Sequence, residues 1–355
     1  MTNLVETVYR KLSPVVPSWV KNAFPPRFKE SIRKSLSKRK DINIDIVGSC
    51  NLGCPSCPSG RTSENNKGGR MSLGLFSEII EKISREYPDS TISLYNWTEP
   101  LLHSQSCEFI NVIHRAGLHS RLSSHLNILP DAKALAKANP GSMTISLSGF
   151  SQKVYSIGHA DGNIENVKTN MLQLSQALRK EKANTQVTVY YHKYFHNLHE
   201  EDAMRQYATS LGFSFGASWA YYMPLEKVQA YISNVLNVKE REFVESKFAL
   251  NIKKAVEAAK AFPPEPCSIK SSSLTINCRG VIQLCCAVYD EKRFSINSFL
   301  ELPRRDIEKS IDEHSYCENC MKNGLHVYSS WHGHKISPIF EEIVAEEIQK
   351  TRLSH

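Results

Sequence analysis

Nowhere in this chain of 355 residues does an apolar run approach the roughly 18 residues that a membrane-spanning helix requires. The N-terminal stretch MTNLVETVYRKLSPVV lacks the apolar region and small-residue cleavage site of a secretory signal. No repeat or low-complexity tract stands out, and Gly and Pro are ordinary at 16 each, which excludes collagen-like, coiled-coil and disordered chains. A soluble, cytoplasmic protein with one large domain and a smaller one is expected. Acidic residues are scarce only at the start: residues 1–41 hold ten Lys and Arg against three Asp and Glu. Val15, Trp19, Phe24 and Phe28 are interleaved with those charges. That composition suggests a basic amphipathic arm, packed on the main domain or docking an anionic partner.

Cysteine is abundant. Of the ten, only Cys107 stands alone, and it reads as a small buried hydrophobe. The other nine fall into tight groups at 50–57, 267–286 and 317–320. In a cytosolic chain of this size, clustered thiols point to metal or catalysis rather than disulfides.

After Asp41 the pattern changes. Ile42, Ile44 and Ile46 alternate with Asn43 and Asp45, the period of a strand. Further strands are expected at Ser90–Tyr95, Ser120–Ser124, Met143–Ser148, Thr185–Tyr191 and Phe213–Ala217. Helical periods fill Leu75–Tyr87, Cys107–Gly117, Asp131–Asn139, Ile164–Leu178 and Glu200–Leu211. Six strands alternating with helices predict parallel βαβ units, with chemistry at the C-terminal strand ends. Residues 225–262 read as a helical linker, and Pro263, Pro264 and Pro266 mark a boundary. Short strands are expected at Ser273–Ile276 and Val281–Leu284, with Gly280 allowing a tight turn between them.

Cys50, Cys54 and Cys57 place three thiols on one loop directly after the first strand. Three ligands cannot close a tetrahedral zinc site without a fourth from elsewhere, whereas they can hold three irons of a cubane and leave the last iron open. This Cys-x3-Cys-x2-Cys loop resembles the signature of the radical S-adenosylmethionine (SAM) enzymes. Asn96-Trp97-Thr98-Glu99-Pro100-Leu101 resembles that family's Gly-Gly-Glu-Pro-Leu motif, with Trp97 and Thr98 standing where the glycines would be. Met143–Phe150, followed by Tyr155, resembles its fourth strand. Alternation points Ser146 and Ser148 into the barrel lumen. The resemblance implies an α/β fold, a partial (β/α)6 TIM-like barrel over residues 42–224. It implies a SAM-binding [4Fe–4S] cluster on Cys50, Cys54 and Cys57, a hydrogen bond from the SAM amino group to Glu99, and cofactor contacts at Ser146 and Ser148.

Cys267, Gly280, Cys285 and the pair Cys317 and Cys320 resemble the family's twitch domain, a shortened SPASM domain, here spanning 263–324 before a tail at 325–355. The resemblance implies an auxiliary [4Fe–4S] cluster on Cys267, Cys285, Cys317 and Cys320. The spacing alone also allows a four-cysteine zinc ribbon. Cys278 and Cys286 are left over, as packing residues or as hydrogen-atom donors. His192, His196 and His199 follow the fifth strand, and His332 and His334 lie near the C-terminus; each reads as polar lining or solvated loop.

The implied reaction is reductive cleavage of SAM, with an electron from a donor such as flavodoxin or ferredoxin, to a 5′-deoxyadenosyl radical. Hydrogen abstraction from a small polar substrate (amino sugar, cyclitol or similar) would then lead to oxidation or epimerisation. A ribosomal peptide substrate and a non-catalytic zinc-binding scaffold are the alternatives.

Overall fold

The computed structural model of the chain describes residues 41–59 and 68–353. The N-terminal arm, apart from Asp41, lies outside the described residues. In chain order the elements begin with β1 (Asp41–Ile44), α1 (Leu73–Glu86), β2 (Thr91–Ser93), α2 (Ser106–Arg115), β3 (His119–Ser124) and α3 (Ala132–Ala138). Next come β4 (Ser142–Leu147), α4 (Gln152–Gly158), α5 (Ile164–Lys180), β5 (Gln186–Lys193), α6 (Glu201–Ser210) and β6 (Ser214–Trp219). The expected linker is helical, as α7 (Leu225–Ile232), α8 (Val238–Lys247) and α9 (Ile252–Ala261). The cysteine-dense region holds α10 (Ser268–Ser272), β7 (Ser273–Ile276), β8 (Val281–Gln283), α11 (Glu291–Phe294) and β9 (Ser295–Ser298). The chain continues through α12 (Arg304–Asp312), α13 (Ser315–Lys322), α14 (Leu325–Ser329) and α15 (Ser337–Leu353). Among the described residues no helix is long and apolar enough to cross a membrane.

All strands join one sheet in the order β6-β5-β4-β3-β2-β1-β7-β8-β9. Strands β1 to β6 are parallel throughout, and β7 runs parallel to β1 in the register Asp41↔Ser273 and Asn43↔Thr275. The barrel is therefore partial: β6 and β9 are separate edges, and the cysteine-dense hairpin extends the same sheet. Gly280 turns that hairpin at φ +77°, where a side chain would be strained.

Two expected boundaries move for visible reasons. Strand β2 is three residues rather than the expected Ser90–Tyr95, because the chain leaves the ladder for a turn organised by Asp45, which binds the amides of Asn96 and Trp97. Helix α1 starts two residues earlier than its apolar period, because the Ser72 hydroxyl accepts from the Leu75 amide as N-cap.

Alternation divides the sheet into two faces. One is aliphatic and buried under the helices: Ile42, Ile44, Ile92, Leu122, Ile145, Leu147 and Val189 are all fully buried in the core. Helix α1 supplies Phe76, Ile79, Ile80 and Ile83 to that layer at helical spacing. The opposite, concave face is hydrophilic on every strand of the barrel. It presents Asn43, Ser93, Arg121, Ser123, Thr144, Ser146, Thr188, Tyr190, His192, Ser214 and Ser218, with Gly216 as the one position lacking a side chain.

Candidate functional site

The first cysteine loop is built at the C-terminal end of β1. Val47 bridges to Arg70, and the Gly48 amide donates to the Gly69 carbonyl at 3.0 Å. That approach requires glycine, since a Cβ on Gly48 would stand 1.8 Å from the Gly68 carbonyl oxygen. Leu52 anchors the loop in the core, the Gly53 amide donates to the Ala160 carbonyl at 2.9 Å, and the Cys57 amide donates to the Cys54 carbonyl at 3.1 Å. The Cys50 sulfur accepts from the Leu52 amide at 3.5 Å. Burial, with smaller contributions from Glu99 and Cys57, pushes the Cys50 thiol up to about 12. Burial likewise lifts Cys54 well above the ordinary thiol range, reinforced by its neighbours Cys57 and Cys50. No basic side chain figures in either shift. A thiolate set in such surroundings fits a positively charged iron centre, which would supply the compensating charge.

Glu99 stands directly behind this loop, 2 % exposed. Its Oε1 accepts from the Leu101 amide at 3.0 Å, and its Oε2 accepts from the His125 amide at 3.1 Å and lies 3.1 Å from His125 Nε2. His125 Nε2 also meets Asn51 Oδ1 at 3.1 Å, tying the carboxylate to the residue after Cys50. A carboxylate offers about four acceptor sites, so capacity for a further donor remains.

Asp45 is the residue that sequence reasoning passed over. It is buried, and its carboxylate accepts from the Asn96 amide (2.9 Å), the Trp97 amide (3.2 Å) and the Thr98 hydroxyl (2.6 Å). Burial raises its carboxyl above the usual range despite those bonds. Trp97, in turn, reaches away from the loop. Its indole N–H donates to the Val288 carbonyl at 3.2 Å, and its ring meets the edge of Tyr289 at 6.0 Å. The Tyr289 hydroxyl lies 3.4 Å from Ser59, just beyond Cys57. The two cysteine regions are thus joined through Trp97 and Tyr289.

Histidines crown the next strands. Ser148 is fully buried, its hydroxyl 2.8 Å from His159 Nδ1, and Tyr155 stacks on that ring at 4.8 Å. Burial lowers His159 to about 3, with His192 and His125 adding to the effect. Ser146 is 2.9 Å from His192 Nε2, and burial lowers His192 to about 4. Of the other histidines singled out, His196 stacks on Tyr194, His199 is exposed beside Glu200, and His334 pairs with Glu265. His332 packs on Trp331 and Tyr221.

The second group converges from three elements. Cys267 caps α10, its sulfur accepting from the Lys270 amide at 3.4 Å; Cys285 follows β8; Cys317 and Cys320 lie on α13. All four line one cavity with Leu225, Ile269, Leu284, Ala287, Ile311 and Tyr316. Burial lifts Cys285 well above the thiol range and Cys320 to about 12, while Lys270 offsets part of the rise at Cys317. Four thiols around one apolar cavity form a donor set that fits a closed cluster. Cys278 and Cys286 do not line it. Cys278 donates to the Gly68 carbonyl at 3.7 Å, and the Cys286 thiol is hydrogen-bonded to Ser273. Among the described residues, no three His, Cys, Asp or Glu side chains approach within the reach of a single metal ion.

No model of a known protein family matches the chain. Streptococcus suis SuiB bound to precursor peptide SuiA superposes with a TM-score of 0.53 at 11% identity, over 90% of this chain and 80% of that one. SuiB bound to S-adenosylmethionine gives 0.51 at 12% identity, over 90% and 77%. BtrN in complex with AdoMet and 2-DOIA gives 0.45 at 13%, over 80% and 87%. The fold is that of radical SAM enzymes. In sequence, the chain is 26% identical over 138 residues to the 7,8-dihydro-6-hydroxymethylpterin dimethyltransferase of Methanocaldococcus jannaschii. That match covers 37% of this chain and spans only 26% of the relative's length.

Within the radical SAM fold, the first cysteine loop, Glu99, Ser146 and Ser148 all stand at C-terminal strand ends, where α/β folds gather their chemistry. His125 and His159 escaped notice because each is a lone histidine in a loop. Asp45 left a faint signal: a carboxylate on the concave side of the first strand, five residues before the cysteines.

Proposed function

We propose that this chain is a radical SAM enzyme with two [4Fe–4S] clusters, acting on a small polar substrate. Cys50, Cys54 and Cys57 hold the SAM-binding cluster, and Cys267, Cys285, Cys317 and Cys320 the auxiliary one. The observation that carries the reading is the placement of three partly buried thiols on one loop, at the end of the first of six parallel strands, with Glu99 buried behind them. With SAM bound, such a centre supplies a 5′-deoxyadenosyl radical that removes hydrogen from a C–H bond, and a flavodoxin or ferredoxin serves as electron donor.

The chain's own part is positioning and exclusion of water. Glu99, braced by Leu101 and His125, presents its remaining acceptor capacity to the SAM amino group. Asp45 holds the turn before Glu99, replacing the compactness that glycines would give. Ser148, locked on His159, shapes the wall beside the loop. Trp97 and Tyr289 fix the hairpin region against the cysteine loop.

The test is to purify the protein without oxygen, reconstitute it, and count iron and sulfide in wild type and a Cys50/Cys54/Cys57→Ala variant. About eight irons falling to about four, with loss of 5′-deoxyadenosine formation, is the expected result. Little iron with stoichiometric zinc would overturn the reading and leave a zinc-stabilised scaffold. Single Cys278→Ala and Cys286→Ala variants separate the two outcomes for substrate: product lost with iron content intact identifies an epimerase with a thiol hydrogen donor, and product retained identifies an oxidation.

A further inference from the structure

Barrel interiors are ordinarily filled by layers of Val, Ile and Leu. Here the concave face carries hydroxyls, imidazole and phenol, and the residues of its upper rows are only partly buried, so this surface is neither packed nor apolar. At the C-terminal end two diagonal pairs lie side by side: Ser146 with His192 at 2.9 Å, and the Tyr190 hydroxyl donating to Ser218 at 2.8 Å. Tyr190 and His192 meet edge to face at 5.3 Å. Deeper in the same face, Ser93 and Thr275 flank Asn43 in one register row, and both buried hydroxyls lack a partner among the described residues. Buried polar groups without partners are rare and costly.

Charge narrows the ligand. The cation on this face among the described strands is Arg121, and it lies 3.7 Å from Asp41, which offsets it. Asp45 is spent on the turn before Glu99. Among the described residues of this face, a phosphate or carboxylate would find no free cation, and an ammonium no carboxylate beyond Glu99, which the SAM amino group would occupy. Neutral donors and acceptors facing inward match neutral donors and acceptors on a ligand.

We propose that the concave face across β4, β5 and β6 binds an uncharged, hydroxyl-rich small molecule, with the Ser146–His192 pair holding one of its hydroxyls. The proposal rests on the radical SAM reading and deepens it by naming the substrate class. It also moves Ser146, expected on the cofactor side, to the substrate.

Direct binding to the reconstituted, unreduced holoenzyme with SAM tests it, using glucose, glucosamine, glucose 6-phosphate and myo-inositol as probes and saturation-transfer NMR as readout. Glucose and myo-inositol are expected to bind ahead of the two charged probes. Ser146→Ala and His192→Asn should each weaken that binding by about tenfold, the effect of one lost hydrogen-bonded contact of about 1.4 kcal/mol. Melting temperature and iron content establish that each variant is folded, and Ser218→Ala provides a second, less disruptive substitution on the same face. Tighter binding of glucose 6-phosphate or glucosamine than of glucose overturns the proposal. So does the absence of binding by either neutral probe, or unchanged affinity in all three variants. Iron content and 5′-deoxyadenosine formation in the wild type are measured separately, so failure of the wider reading is seen independently of failure here.

Discussion

The loop carrying Cys50, Cys54 and Cys57 and the cavity lined by Cys267, Cys285, Cys317 and Cys320 use the same side chain in opposite arrangements. The first gathers three thiols from eight consecutive residues and takes its remaining surroundings from the ends of other strands: Glu99, His125 and Ser148. The second draws four thiols from a helix cap, a post-strand turn and a helix more than thirty residues further on, and encloses them with apolar side chains. A local set can shift without disturbing the fold, whereas a dispersed set also ties elements together. The first suits a site that must admit small molecules, and the second suits a closed one.

The largest effects should come from the cysteines themselves. Cys50→Ala and Cys320→Ala are each expected to lower iron content, but only Cys320→Ala should also bring a large fall in melting temperature. Equal falls in both would erase the distinction between a local and a dispersed site. Next is Gly324, which sits at φ +69° where α13 passes to α14. A Cβ there would stand 2.4 Å from the Lys260 amide nitrogen and 2.6 Å from the Ala259 carbonyl oxygen. Gly324→Ala should cost about 3 kcal/mol or more in chemical denaturation, because backbone rather than a flexible side chain must yield. An unchanged midpoint would show that α9 does not brace the helix carrying Cys317 and Cys320.

On the other side, Asp45→Ala leaves partly buried donors at Asn96, Trp97 and Thr98 without their acceptor and should cost about 1–2 kcal/mol, read as a lower melting temperature. The histidines give a dependence on pH. His159 and His192 are held at about 3 and about 4 in the fold, against 6.5 ordinarily. The unfolded chain therefore binds protons that the folded one refuses, so their stabilisation is complete above about pH 6.5 and drains away as pH falls toward 4 and 3. Melting temperatures that stay flat from pH 7 to 5 would contradict the buried, neutral state of these rings. The smallest effect is expected at Trp97→Phe, about 1 kcal/mol, through the lost bond to the Val288 carbonyl that joins the two regions.

Much of the architecture is legible in the order of residues alone. The alternation around Ile42 and Ile44 and the βα rhythm that follows announce a parallel sheet, because side-chain period reports directly on which face is buried. Ser273–Ile276 is a strand with the expected ends, and Gly280 turns the hairpin as its freedom at positive φ allows. The short β2 is not legible, since what ends it is a carboxylate about fifty residues away in sequence. The hydrophilic face is only half visible: Ser146 and Ser148 stand out, whereas the pairing of Ser146 with His192 and of Tyr190 with Ser218 needs the register of neighbouring strands.

Local order along the chain is enough for the class of fold, the three-thiol loop and the buried and concave faces of each strand, because these depend on periods and spacings within a few residues. The pairing of the cysteine-dense hairpin with β1 in a single sheet, and the meeting of four distant thiols in one cavity, arise only from long-range packing. The same holds for Trp97, whose amide stays in the turn on Asp45 while its indole bridges to Val288. Those outcomes depend on which strand lies beside which and on what remains unpaired when they meet, quantities that no local pattern carries.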